Sequence, residues 1–336
     1  MKVIVGYGEP LQEIRPDDPG GFFLGGDISN ILVGAKRLVP VLAAATERDQ
    51  NVVVKILTGI GDDARGSSLI DLYQRAGIDP DLVGILPGKR TAAYELRYST
   101  IQDEKKLNYK FIDREGAACR FLFESQRDNV LRFKAHANKN TIFVTSGIGA
   151  SRPIDDAAFN NLLSIIDDAR RKGTTTVFNT ELRPRLFNED EGLARRRVTE
   201  LWKRSSVVLC SYPDDVAVFP DLRDTRRKVR DFILEQGVSA AIISEGERGL
   251  TVYKSGLSEL YVPALKIVDE RGIVDTAGGS AALTASIVAA LAFDLPFEKA
   301  AHVSVILARN IMSVPGWVPP LESIPTVNEI REALNR

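Results

Sequence analysis

Short apolar runs alternate with longer amphipathic stretches along most of the chain. Lys2–Gly6 (KVIVG) predicts a buried strand, and apolar positions three and four apart over Ile28–Ala45 predict a helix opening from Gly25-Gly26. The β-branched run Asn51–Leu57 predicts a second buried strand, and Asp62–Ala76 an amphipathic helix stopped by Gly77. Thr91–Tyr98 and Leu107–Asp113 differ, because polar and apolar residues alternate; they predict half-exposed strands separated by a charged turn around Gln102–Lys106. From about residue 140 the pattern is regular. Strands over Thr141–Thr145, Thr174–Asn179, Val207–Cys210 and Ala240–Ser244 are interleaved with helices over Asp155–Arg171, Glu191–Lys203 and Arg223–Gln236. A hairpin over Thr251–Tyr253 and Glu259–Val262 and two apolar helices, about Gly278–Ala292 and Phe297–Ser313, close the pattern. Such alternation specifies a parallel sheet covered on both faces. The expectation is one α/β domain over residues 1–336, with a small, partly exposed β-sheet inserted into it.

Composition narrows the function classes. The 336 residues carry 44 basic and 45 acidic side chains, a net charge of −1, which gives no electrostatic footprint for nucleic acid or a membrane surface. With 44% hydrophobic and 26% charged residues, wholesale disorder is excluded. Two cysteines, Cys119 and Cys210, make neither a disulfide framework nor a zinc set, and His136 and His302 lie far apart. The start MKVIVGYGEP has no basic, long-apolar leader pattern, and the apolar stretch Ala281–Ala292 is shorter than the ~18 residues a membrane span needs. The expectation is a cytoplasmic protein without membrane partners.

Four segments hold candidate chemistry. In Val274–Ser286 (VDTAGGSAALTAS), Asp275-Thr276 end an extended segment and Gly278-Gly279-Ser280 open a helix. Glycines at a helix start let backbone N–H groups converge on an anion, so the segment reads as a phosphoryl cradle or as an ordinary glycine turn. In Phe22–Asn30, Gly25-Gly26 allow close backbone approach and Asp27 and Asn30 can hydrogen-bond sugar hydroxyls; equally, Asp27 or Ser29 can cap the helix. Asn179–Phe187 (NTELRPRLF) follows a predicted parallel strand, where ligands bind in open α/β sheets, so Arg183 is placed to meet an anion or to sit solvated in a loop. Glu245–Gly249 (EGERG) follows the strand ending at Ser244, and its Gly246 and Gly249 could approach a nucleotide.

Taken in order, GGDISN, SGI (Ser146–Ile148), NTELRPRLF, EGERG and VDTAGGSAAL resemble the PfkB (ribokinase-like) carbohydrate kinases over nearly the whole chain. Within that family the chain is similar to the 2-keto-3-deoxygluconate kinases. The resemblance implies a three-layer α/β/α core with a small β-sheet lid, formed by strands at about 10–25 and 88–120, through which two copies can pair. It implies ATP and Mg²⁺ as cofactors and a small-molecule sugar or sugar acid as substrate. Gly278, Gly279 and Ser280 then cradle the phosphoryl group, while Ser244, Gly246, Gly249 and Thr276 lie near the nucleotide. Gly25, Gly26, Asp27, Asn30, Tyr94, Arg114, Arg183 and Asp275 meet the substrate, and Asp214 supports the metal through water. Arg114, in REGAA, and Arg183, in RPRLF, suit a sugar-acid carboxylate, which a guanidinium binds bidentately.

The chain departs from the family pattern where the chemistry is done. Aligned on D-T-x-G-A-G-D, the general-base aspartate falls on Ala281, and a methyl accepts no proton. The acidic motif N-x-x-E reads Ser211-Tyr212-Pro213-Asp214, and an asparagine of the last helix pair falls on Val305. The pattern D-x-N-x-R reads Asn179-Thr180-Glu181-Leu182-Arg183, losing its first acid. Two readings follow: a sugar kinase of impaired turnover that lacks its usual base, or a non-catalytic pseudokinase binding a sugar phosphate or nucleotide.

Overall fold

A computed structural model describes residues 1–16, 22–48, 51–101, 104–124, 128–254, 258–266, 278–313 and 321–336. The chain begins β1 (Lys2–Tyr7), β2 (Leu11–Ile14), β3 (Phe22–Gly25), α1 (Asp27–Thr46), β4 (Val52–Gly61), α2 (Ala64–Arg75), β5 (Val83–Leu86), β6 (Ala93–Ile101) and β7 (Glu104–Ile112). It continues α3 (Asp128–His136), β8 (Thr141–Ser146), α4 (Gly147–Ser151), α5 (Asp156–Arg171), β9 (Thr175–Asn179), α6 (Glu191–Trp202), β10 (Val207–Ser211) and α7 (Arg226–Glu235). It closes with β11 (Ala240–Ser244), β12 (Leu250–Lys254), β13 (Leu260–Val262), α8 (Gly279–Ala292), α9 (Phe297–Met312) and α10 (Val327–Leu334).

Among the described residues the main sheet has nine strands in the order β13-β12-β11-β10-β9-β8-β1-β4-β5. Its strands are parallel from β11 to β5, and at one edge β12 pairs antiparallel with both β11 and β13. Side chains alternate across each strand, and this sorts the core into two layers. Ile4, Ile142, Val207 and Ile242 pack with residues of α1, α8 and α9 on one face. Val5, Phe143, Val208 and Ile243 pack with residues of α3, α5, α6 and α7 on the other. This is the expected α/β/α arrangement. A second sheet, β3-β2-β6-β7, has its own small core of Leu11, Ala92, Tyr94, Leu96, Ala117 and Cys119.

The details depart from the sequence expectation in places, each for a local reason. α7 starts at Arg226 rather than Arg223, because the Thr225 hydroxyl accepts from the Lys228 N–H and caps it. Neither Asp27 nor Ser29 caps α1: Gly26 holds the cap position at φ 89°, Ser29 pairs with the Tyr73 hydroxyl at 2.8 Å, and Asp27 accepts from Ser146. β7 begins at Glu104, inside the segment expected as a turn. Helix α1 has 20 residues and, by length and composition alone, could cross a membrane, although the sequence reading found no such segment. Here its apolar face is covered by α8 and the main sheet.

Candidate active site

The parallel register levels the strand ends: Ser146 lies opposite Asn179, and Ser211 opposite Ser244. Side chains and helix starts beyond these carboxyl ends share one edge of the sheet, the usual ligand position in open α/β folds. The order along that edge, from β11 through β10, β9 and β8 to β1, fixes what stands next to what.

Over β11 and β10 lies a cavity of about 690 Å³. Its walls include Ser211, Asp214, Ser244, Gly246, Gly249, Gly279 and Ser280, with apolar surface from Leu283, Val305, Ala308 and Met312. The predicted nucleotide residues Ser244, Gly246 and Gly249 are therefore brought together with the predicted cradle. Asp275 and Thr276 lie outside the described residues. Gly278 takes a left-handed conformation (φ 85°) as the cap of α8, and Gly279 and Ser280, the first residues of that 14-residue helix, whose leading N–H groups have no intrahelical acceptor, line the cavity. Ala281 is 5% exposed and belongs to the apolar core, and no proton acceptor stands there.

Asp214 is exposed at the cavity, while its neighbour Asp215 is buried and accepts the backbone N–H groups of Leu182 and Ser211, each at 2.7 Å. Burial raises the Asp215 carboxyl to about 6, against the pull of those two donors. Asp215 staples the loop after β9 to the end of β10; Asp214 remains the acid open to a cation. Among the described residues no three histidine, cysteine or acidic side chains cluster as a closed metal cage. One carboxylate beside a phosphate-sized cradle fits Mg²⁺, which keeps waters and shares its ligands with substrate phosphates.

Over β9 the chain places Asn179, Glu181 and Arg183. The Ser280 hydroxyl donates to Asn179 Oδ1 at 3.1 Å, and Asn179 Nδ2 donates to Glu181 Oε2 at 3.0 Å. Glu181 has a positive φ of 26°, and its side chain is 14% exposed. Its carboxyl is pushed up to about 8, first by burial and then by the charge of Asp27, against the opposing Arg183. Arg183 is half-exposed, 3.3 Å from Glu181 Oε1.

Over β8 and β1 sit Asp27 and Asn30, on the first turns of α1. Both are buried, and Asp27 Oδ1 and Asn30 Oδ1 have no hydrogen-bond partner among the described residues. Burial holds the Asp27 carboxyl above its ordinary value, against the hydrogen bond from Ser146. Gly26 is required where it stands, since a Cβ there would lie 2.5 Å from the Glu9 carbonyl oxygen.

Two predicted substrate residues have protein partners already. Arg114 donates to both oxygens of Glu9, at 2.6 to 3.1 Å, and Arg152 approaches the same carboxylate at 3.2 Å. Tyr94 is buried in the small sheet, donates to Glu13, and its ring lies 2.4 Å from where a Cβ on Gly25 would be. Sequence reasoning missed Glu9, Arg152, Glu181 and Asp215. A signal existed for Glu181: the acid of D-x-N-x-R is absent at 179 but an acid stands at 181, so the acid and the amide have exchanged places.

The pfkB family carbohydrate kinase model matches residues 18–323. The 2-dehydro-3-deoxygluconokinase of Dickeya dadantii is 24% identical over 305 residues, covering 90% of this chain and 91% of that protein. Among solved structures, the fructokinase of Xylella fastidiosa with bound ATP superposes with a TM-score of 0.76 at 16% identity, over 99% of this chain and 98% of that one. A structure from E. coli in complex with ATP and Mg²⁺, provisionally called ribokinase II, gives a TM-score of 0.73 at 19% identity, over 100% of this chain and 99% of the other. The fold is thus ribokinase-like, and the chain belongs to the pfkB family of carbohydrate kinases.

Proposed function

We propose that the protein transfers the γ-phosphoryl group of ATP to a hydroxyl of a sugar acid, with 2-keto-3-deoxygluconate as the leading substrate. One observation carries this reading: the start of α8 stands between two different compartments of the sheet edge. On one side is the 690 Å³ cavity walled by Ser244, Gly246 and Gly249; on the other are the buried acceptors Asp27 Oδ1 and Asn30 Oδ1, without a partner among the described residues. Acceptors of that kind suit the hydroxyls of a polyol, because a buried acceptor without a donor is costly. Arg183, half-exposed beside Glu181 and in sequence register with the family's R-P-x-L-W loop, suits a carboxylate. The name of the Dickeya relative supports the same substrate class.

In this reading the nucleotide lies across β10 and β11 with its terminal phosphate at the N–H groups of Gly279 and Ser280. Asp214 would hold Mg²⁺, which would supply positive charge against the phosphates. Asp27 and Asn30 hold the sugar, and positioning with charge stabilisation provides most of the catalysis. The test is coupled-enzyme detection of ADP with 2-keto-3-deoxygluconate, neutral hexoses and adenosine, beside calorimetric titration of each. ADP formation highest with the sugar acid is expected; preference for adenosine would overturn the substrate class. The lack of an acceptor at Ala281 favours a second reading, a non-catalytic binding protein, and tight binding without ADP from any sugar, even in Ala281→Asp, would select it.

A further inference from the structure

Phosphoryl transfer to a hydroxyl needs a group to take the hydroxyl proton, and Ala281 is not one. We propose that Glu181 is the catalytic proton acceptor of this chain, an inference that rests on the kinase reading above. Glu181 follows β9, between the α8 start over β9 and β10 and the Asp27–Asn30 pair over β8 and β1. It is the neighbourhood through which a hydroxyl held by Asp27 must approach a phosphate held at Gly279 and Ser280. A single amide group, that of Asn179, separates its carboxylate from the Ser280 hydroxyl, and both hydrogen bonds of that bridge, 3.1 and 3.0 Å, are formed.

Three further observations bear on the assignment. The buried oxygens Asp27 Oδ1 and Asn30 Oδ1, without a partner among the described residues, call for a donor-rich ligand beside this carboxylate. The backbone of Glu181 is in the left-handed region at φ 26°, a conformation that costs free energy for a residue with a side chain and is typical of functional positions. The acid lost at 179 is regained two residues later, so the negative charge of the family's strand-end motif is kept while its position moves. The groups facing Glu181 are Arg183 and Asn179 from its own loop, Asp27 from α1 and Asp215 from the turn after β10. Burial and Asp27 together place its proton affinity near 8, where a base is both ionised in part and strong enough to act.

The step balances. The substrate O–H bond breaks, its proton passes to Glu181, the substrate oxygen forms a bond to the γ-phosphorus, and the bond from that phosphorus to the bridging oxygen breaks to release ADP. Glu181 then returns the proton to solvent.

The test compares the unaltered protein with Glu181→Gln, Ala281→Asp and the double variant, measuring kcat, KM and ATP binding. Glu181→Gln is expected to lower kcat by about 10²–10⁴-fold with ATP binding retained. Adding Ala281→Asp to it is expected to restore turnover, which no merely structural role for Glu181 would allow. Should Glu181→Gln fail to fold, the pH profile of kcat decides: the unaltered protein should gain activity through about pH 8, and Ala281→Asp should move that limb at least tenfold in proton concentration toward acid. A Glu181→Gln variant within threefold of the parent overturns the proposal. An inert parent beside an active Ala281→Asp also overturns it but leaves the kinase reading intact. If neither makes ADP from any sugar, the kinase reading falls and the proposal with it.

Discussion

At the scale of single residues, the site is governed by carboxylates whose surroundings differ. Glu9 is fully buried but meets Arg114 and Arg152, Asp215 is buried between two backbone donors, and Glu181 is mostly buried beside a like charge. Burial and the charge of Asp27 push the Glu181 carboxyl up to about 8, further than Arg183 and Asn179 pull it down. Its carboxyl titrates near 8 in the folded chain and near 4.5 in an unfolded one, so the folded state binds the extra proton between those values. Its contribution to stability is complete below about pH 4.5, declines as pH rises, and is lost above about pH 8. Chemical denaturation across this range should therefore show the unaltered protein losing stability relative to Glu181→Gln as pH rises. A constant difference from pH 5 to 8 would show that Glu181 is not held protonated. The same residue could be found in the sequence only by reading N-x-E against D-x-N as an exchange; its burial and its neighbour Asp27, 154 positions earlier, could not be read there.

At the scale of elements, the strand-end loops hold one another in place. Trp202, fully buried on α6, donates its indole N–H to Thr180 at 3.1 Å and stacks on Phe219 at 5.0 Å between ring centres. On the other side Gly147, the first residue of α4, sits so close that a Cβ would lie 2.0 Å from the Thr180 carbonyl oxygen. The 179–183 loop is thus clamped between α4 and α6, and Asp215 fixes it from the turn after β10. Gly147→Ala should destabilise the fold by about 1–3 kcal/mol, as overpacking against backbone does, and should displace Glu181. Gly116→Ala, where a Cβ meets nothing within 4 Å, should change stability by less than about 0.5 kcal/mol. Urea denaturation of the two variants checks the contrast. If Gly147→Ala unfolds at the same midpoint as Gly116→Ala and turns over normally, the clamp does not set the loop.

At the scale of the molecule, the nine-stranded sheet follows from patterning, while the small sheet raises a question of assembly. On one face it exposes Phe111 at 43% and Tyr109 at 37%, two residues apart on β7. We propose that this face is the lid of the site and pairs with its counterpart on a second copy. Light scattering should give twice the mass of one chain, and Phe111→Asp should halve it; a monomeric parent would refute the pairing. Hydrophobic periodicity determined eight of the nine strands of the main sheet and most of its covering helices, and glycine pairs marked the starts of α1 and α8. Local hydrophobic and steric preferences repeat every two or 3.6 residues and are written in adjacent positions. Elements with weak periodicity, such as α3 and β5, stayed hidden, whereas α10 had a capping box, Thr326 with Glu329, that could have revealed it. Tertiary structure alone decided that Arg114 meets Glu9, that Tyr94 is buried against Gly25, and that Glu181 lies one amide from Ser280. Those are contacts between residues 69 to 105 positions apart, and burial, which sets the charge and proton affinity of each group, depends on every element that closes around it.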